Sequence, residues 1–213
     1  MRACVQAGRS PDAVTLLAVS KSWPAQALAA AAAAGQRNFG ESYLQEALPK
    51  MDELAALDIG WHFIGPLQSN KTRAVAERFD WVQSVERFKI AERLSAQRPA
   101  TLPMLNLCLQ INVSGEDSKS GCAPEQAVDV AGAILELPRV TLRGVMAIPA
   151  PASDPATQRR AFATVRQTCE RINQQLNAKL DTVSMGLSDD LEAAIIEGAT
   201  LLRVGTAIFG KRS

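Results

Sequence analysis

Short apolar runs alternate along this chain with longer stretches in which hydrophobic positions recur at helical spacing. The first run, 14–19, is followed by a helical stretch over 24–34. That stretch opens on Pro24 and closes before Gly35, residue types suited to a helix start and a helix end. A very short strand at 37–39 then precedes a helix at 43–57, 61–64 precedes 71–78, 80–84 precedes 87–97, and 105–113 precedes 124–137. The series continues with 141–148 and a long helix at 155–180, then 182–185 and 189–197. It ends at 201–204, which runs into a helical turn at 207–209. The repeat of about 27 residues is close to the ~30 of one βα unit. Several strands are apolar through most of their length, as suits parallel strands covered on both faces. Eight such units predict an α/β fold, a (β/α)8 TIM-like barrel, with a doubly wound open sheet as the alternative. The chain shows no internal repeat and no linker, which predicts one domain over 1–213.

Composition narrows the functions this pattern serves. The 23 basic and 22 acidic residues leave a net charge of +1, so no global field is available to grip nucleic acid or an anionic membrane. The alanine-rich run 25–34 falls short of the ~20 residues a membrane span needs and reads as a buried helix. No targeting pattern is visible, so the expected location is the cytoplasm. Cys4, Cys108, Cys122 and Cys169 are scattered, without metal-ligand or disulfide-framework spacing. His62 is the only histidine, too few for a histidine zinc site or most nucleophilic triads. It lies inside an apolar strand and reads as a hydrogen-bonded core residue.

In a barrel of this type, chemistry is built at the C-terminal ends of the strands. Here those ends are polar or glycine-rich: Ser20-Lys21, Gly40-Glu41-Ser42, 65–68, Ser84, 112–114, 146–149, Ser184-Met185-Gly186 and 203–206. By position alone Lys21 is an ordinary solvated lysine at a strand end. Its company changes that reading. An amine held beside apolar walls loses its proton more readily and condenses with an aldehyde to a Schiff base. Arg203, Gly205 and Thr206 close the last strand and open a helical turn, an arrangement that receives phosphate, and Ser184 and Gly186 converge from the strand before. In a closed barrel the last strand lies beside the first, which brings the amine next to the phosphate cup. Lysine plus phosphate cup describes binding of pyridoxal 5′-phosphate (PLP) or a class I aldolase acting on a sugar phosphate.

The segments 17–21, 39–41, 62–71 (HFIGPLQSNK), 143–149, 184–190 (SMGLSDD) and 203–210 occur in an order and detail that resembles the pyridoxal phosphate homeostasis protein family. The likeness covers nearly the whole chain. It implies a single barrel similar to that of alanine racemase, without that enzyme's second domain. The implied function is that of a PLP carrier that buffers the free cofactor and influences amino-acid and keto-acid pools, without robust catalysis. It implies PLP held covalently by Lys21, with Ser184, Gly205 and Thr206 at the phosphate and Arg203 facing the pyridine nitrogen. Met146 and Gly186 are expected in the same site. Ser42 stands where the family carries asparagine. Expected partners are PLP and apo PLP-dependent enzymes, with no nucleic acid and no membrane, and the expected assembly is a monomer or weak dimer. The chain also reaches its first strand sooner than relatives that begin with a helix.

The alternative is a PLP-dependent amino-acid racemase. That chemistry needs a second acid/base opposite the lysine, and Tyr43, the only tyrosine, falls on the second predicted helix. Ser188-Asp189-Asp190 reads as a helix N-cap with acidic residues complementing the dipole. The polar stretch 114–121, which contains Glu116, Asp117 and Lys119, reads as a solvated loop over the pocket mouth. Cys108 reads as core packing.

Overall fold

The structure is a computed structural model that describes residues 2–115 and 120–210. Eight parallel strands close a barrel in chain order: β1 (Thr15–Val19), β2 (Asn38–Glu41), β3 (Gly60–Phe63), β4 (Trp81–Val85), β5 (Leu105–Gln110), β6 (Val140–Met146), β7 (Thr182–Ser184) and β8 (Leu201–Val204). Strand β8 returns to pair with β1, with Leu17 opposite Arg203 and Ala18 opposite Val204. The closed ring excludes the open-sheet alternative. Of the loop expected at 114–121, residues 116–119 lie outside the described residues.

Helices α2 (Ala25–Ala33), α3 (Leu44–Glu53), α4 (Thr72–Arg78), α5 (Phe88–Gln97), α6 (Ala127–Leu135), α7 (Pro155–Leu176) and α8 (Leu191–Ile196) follow the first seven strands, and α9 (Thr206–Phe209) follows the last. Helix α2 corrects the sequence expectation of a buried helix. Only Ala25, Leu28 and Ala32 are buried, while Ala30, Ala33 and Ala34 face outward. Alanine is small enough to serve either face, so the run carried no amphipathic signal. Helix α7 stops at Leu176, four residues before the expected end, because Asn177 takes a left-handed conformation with φ 46°. A short N-terminal helix, α1 (Arg2–Gln6), and a 3-10 turn at Pro11–Ala13 precede β1. Both are too short to build periodicity.

The two faces of the barrel wall differ in chemistry. Outward residues such as Phe39, Phe63, Val82, Leu105, Leu107 and Leu109 join Phe79, Leu94 and Phe162 in one apolar layer between strands and helices. Positions of the other parity face the lumen and include His62, Gln83, Ser184 and Arg203, all buried. A hydrogen bond between side chains of β4 and β7, which are not neighbours in the ring, crosses that lumen. The strands therefore alternate more than their apolar look suggested.

Strand register also sets the lower mouth. The pairing of β5 with β6 shifts between Leu107 and Cys108, skipping Arg143. At the next residue, Gly144, a Cβ would stand 1.7 Å from the Thr182 carbonyl oxygen, so only glycine lets β6 and β7 close up. Arg143 lies over the Trp81 ring at 5.0 Å and pairs with Asp181 at the N-terminal mouth. Among the described residues no helix is long and apolar enough to cross a membrane, and no group of His, Cys, Asp or Glu is placed to hold a metal.

Candidate functional site

Where β1 and β8 end side by side, a cavity of about 160 Å³ opens at the C-terminal mouth. It is lined by Val19, Lys21, Trp23, Leu187, Ser188, Arg203, Gly205, Thr206 and Gly210. Lys21 lies two residues past the end of β1. The segment behind it is fixed by the stack of Trp23 on Phe209, ring centroids 5.6 Å apart, which ties the exit of β1 to α9. Buried Glu41 supports the same exit: its Oε1 accepts from Ser20 Oγ at 2.6 Å and from Lys50 Nζ at 2.8 Å, and Lys50 also donates to the Ser20 carbonyl. The Lys21 amine thus projects from a backbone braced on both sides.

Arg203 forms the inner wall and is only 2% exposed. Its Nη1 donates to the carbonyl and hydroxyl oxygens of Ser184 at 2.8 and 2.6 Å, and its Nη2 donates to the Ala147 carbonyl at 2.7 Å. Burial pulls the guanidinium down to about 10, against the opposing pull of the Asp190 carboxylate. At neutral pH it remains a fixed positive charge. Beyond it, α9 leaves the backbone N–H groups of Thr206 and Ala207 without a partner among the described residues. These N–H groups, with the Thr206 and Ser188 hydroxyls, form a donor set suited to a phosphate.

The sequence-predicted residues divide into two sets. Lys21, Arg203, Gly205 and Thr206 share the cavity. Ser42 lines a separate cavity with Tyr43, Phe63, Pro66, Gln68 and Lys71, and Tyr43 is exposed there as the residue preceding α3. Met146 is wholly buried at the end of β6, opposite Ser184, outside the lining. Gly186 has φ +94°, and a Cβ on it would sit 2.6 Å from the Ala194 Cβ, so it shapes the turn that delivers Leu187 and Ser188 to the cavity. Ser184 stands behind Arg203. Its hydroxyl lies inside the barrel, accepting from Arg203 and donating to Gln83 Oε1 at 2.6 Å, and it is not among the lining residues.

Ser188 is among the lining residues. It was read as a helix cap, but α8 begins at Leu191 after Asp190, and Asp190 makes no cap bond to the helix. Instead Asp190 Oδ1 accepts from the Leu187 N–H at 2.6 Å and tightens the turn. Burial pushes the Asp190 carboxyl above its ordinary range, against that bond and the Arg203 charge. A serine followed by two acids before an apolar helix is a capping pattern, and nothing in the sequence separates it from a ligand loop of the same composition.

Comparison with known proteins decides the family. Residues 5–213 match the family model described as alanine racemase, N-terminal domain. Over 206 residues the chain is 62% identical to the pyridoxal phosphate homeostasis protein of Pseudomonas aeruginosa, covering 97% of this chain and 88% of that protein. This chain belongs to the pyridoxal phosphate homeostasis protein family. The protein of the same name from Escherichia coli is 52% identical over 215 residues, with 99% and 91% covered. PipY of Synechococcus elongatus, solved with PLP bound, is 39% identical with a TM-score of 0.87 over 98% of each chain. Alanine racemase from Corynebacterium glutamicum is 17% identical with a TM-score of 0.74, a likeness of fold alone, and this chain spans 59% of it.

Proposed function

We propose that this protein binds PLP in the cavity between β1 and β8, linked covalently to Lys21, and serves as an intracellular carrier and buffer of the cofactor for apo PLP-dependent enzymes. The observation that carries the reading is the shared cavity. One amine, one buried guanidinium and a cluster of hydroxyl and N–H donors meet where β1 and β8 end side by side, and a relative of the same fold was solved with PLP bound. The donor set fits the cofactor in kind. Ser188, Thr206 and the N–H groups of Thr206 and Ala207 hold the phosphate, Lys21 takes the aldehyde carbon, and Arg203 faces the ring nitrogen. When bound, PLP supplies an electron sink for amino-acid chemistry. A guanidinium, which only donates and holds its charge, keeps the ring nitrogen from taking a proton and weakens that sink. Among the described lining residues Lys21 and Arg203 are the titratable ones, so the racemase alternative lacks the second acid/base it requires. This favours holding the cofactor over turning over amino acids.

The test is direct. Purified protein mixed with PLP should absorb in the visible, borohydride should fix the cofactor to the chain, and Lys21→Ala should abolish the fixation. A chain that takes up no PLP overturns the reading. Holo protein that exchanges the α-proton of L-alanine rapidly in deuterium oxide, in a Lys21-dependent way, would support the racemase instead. The two serines should separate as well. Ser188→Ala should weaken PLP binding on the order of 10- to 100-fold, the scale of one hydrogen bond to a charged group, with folding stability nearly unchanged. Ser184→Ala removes a buried partner of both Gln83 and Arg203 and should lower stability by about 1–3 kcal/mol, measurable by urea denaturation.

A further inference from the structure

A chain of side-chain hydrogen bonds runs the length of the lumen, from Arg203 at the cofactor cavity to the opposite mouth. Arg203 Nη1 donates to Ser184 Oγ at 2.6 Å, Ser184 Oγ meets Gln83 Oε1 at 2.6 Å, Gln83 Nε2 meets His62 Nδ1 at 2.9 Å, and His62 Nε2 faces Asn38 Oδ1 at 3.3 Å. Every link except Asn38 is nine-tenths or more buried. The direction of each bond follows from one fact, that a guanidinium only donates. Ser184 Oγ therefore accepts from Arg203 and turns its own proton to Gln83 Oε1. The Gln83 amide then presents its NH2 to the imidazole. His62 Nδ1 must accept, which places the ring proton on Nε2, pointing at Asn38. His62 also stacks on Trp81, centroids 5.1 Å apart and rings 9° from parallel, so the imidazole plane is fixed. The far end opens on a cavity of about 440 Å³ at the N-terminal mouth, lined in part by Asn38, His62, Trp81, Arg143 and Asp181.

We propose that Gln83 and His62 are positioning residues for the cofactor site, acting through Ser184 to fix the orientation of the Arg203 guanidinium. This rests on the reading that Arg203 faces the ring nitrogen of bound PLP. The chain is polar in one sense along its whole length, so a change at one end is passed on as an amide or hydroxyl reorientation. Ligand contact that rotates the guanidinium changes what Ser184 accepts, and the tautomer of His62 responds. Conversely, a group that displaces the His62 Nε2 proton from Asn38 loosens Gln83 and with it Arg203.

Because His62 is the only histidine, protein labelled with 15N-histidine gives one imidazole spectrum that needs no assignment. The apo protein should show an unprotonated Nδ1 and a protonated Nε2, and saturating PLP should shift both resonances. Gln83→Met keeps the volume and removes the bonds. It should abolish the PLP-induced shift, move the visible absorbance maximum of the bound cofactor and its pH midpoint, and weaken PLP binding by about 10-fold. Gln83→Glu keeps an acceptor for Ser184 and turns His62 into the donor. It should restore the coupling and the wild-type absorbance with the proton on Nδ1, a rescue that a purely structural role does not predict. Wild-type protein that binds PLP with no change at His62, or Gln83→Met with wild-type absorbance and affinity, would overturn the inference. Failure to bind PLP at all would instead strike the cofactor reading. In that case the apo protein decides, since Arg203→Lys must still shift the His62 resonances, and an unchanged spectrum would overturn the relay. Thermal melts of each variant separate these outcomes from misfolding.

Discussion

Lys50→Met is expected to cost about 3–5 kcal/mol of folding stability, the penalty for leaving one member of a buried ion pair alone. Glu41 has no exposure and belongs to the parity of Phe39, on the side of the barrel wall that α3 covers. Its Oε1 accepts from Lys50 Nζ and Ser20 Oγ, and its Oε2 has no hydrogen-bond partner among the described residues. Burial already pushes the carboxyl above its ordinary range, with Lys50 and then Ser20 opposing the shift. Without the ammonium, the carboxylate must either stay charged with a single hydroxyl donor or take up a proton, and both are unfavourable at neutral pH. The double variant Glu41→Gln with Lys50→Met removes the stranded charge and should recover most of the loss. Urea midpoints for the two singles and the double measure this, provided the slope with denaturant stays constant. A Lys50→Met loss under about 1 kcal/mol would mean that the pair behaves as an exposed one. The effect should reach the cofactor cavity too, because Lys50 holds the Ser20 carbonyl, the residue before Lys21.

That pair illustrates what the sequence made legible. The barrel could be read because each strand is an apolar run between helical stretches, and because closure follows from eight right-handed βα units. Lys21 and the Arg203 to Thr206 turn could be placed together because closure joins the first and last strands, and the register of β1 with β8 does join them. Contacts that depend on alternate residues of distant strands could not be read. Ser184 and Gln83 lie 101 positions apart, and no local pattern tells which serine near a strand end points into the lumen. β7 ends at Ser184 with its side chain inward, and the turn at Gly186 carries Ser188 to the cavity. Ser42 is placed by its own strand end. It follows β2, whose end opens on the neighbouring cavity with Phe63 and Lys71 and away from the β1/β8 seam. The ion pair of Glu41 and Lys50, nine positions apart, was not legible either, because composition does not reveal that α3 lays Lys50 against the barrel.

The second large effect should appear in acid. Burial pushes the His62 imidazole down to about 3, from an ordinary value of 6.5. Between those limits the unfolded chain carries a protonated histidine and the folded protein does not. The unfolded state therefore binds more protons, and stability rises with pH across this window and falls as the solution is acidified. Stability from this source is complete above pH 6.5 and declines by about 1.4 kcal/mol per pH unit below it, roughly 3 kcal/mol by pH 4. The groups around the ring offer the proton no compensation. Gln83 presents an amide donor to Nδ1, Asn38 is neutral, Trp81 covers one face, and the nearby Arg143 is a cation whose charge is balanced by Asp181. Replacing His62 by Gln removes the titration while leaving a hydrogen-bonding side chain in the lumen. The variant should start less stable at pH 7, yet lose about 3 kcal/mol less than the wild type between pH 7 and pH 4 in urea denaturation. Carboxylates such as Asp154 and Asp181, whose pKa values lie below the ordinary range, weaken both proteins equally in acid and cancel in the difference. Parallel stability curves for the two proteins would show that the imidazole takes up its proton in the folded state as readily as in the unfolded chain, solvated from the N-terminal cavity.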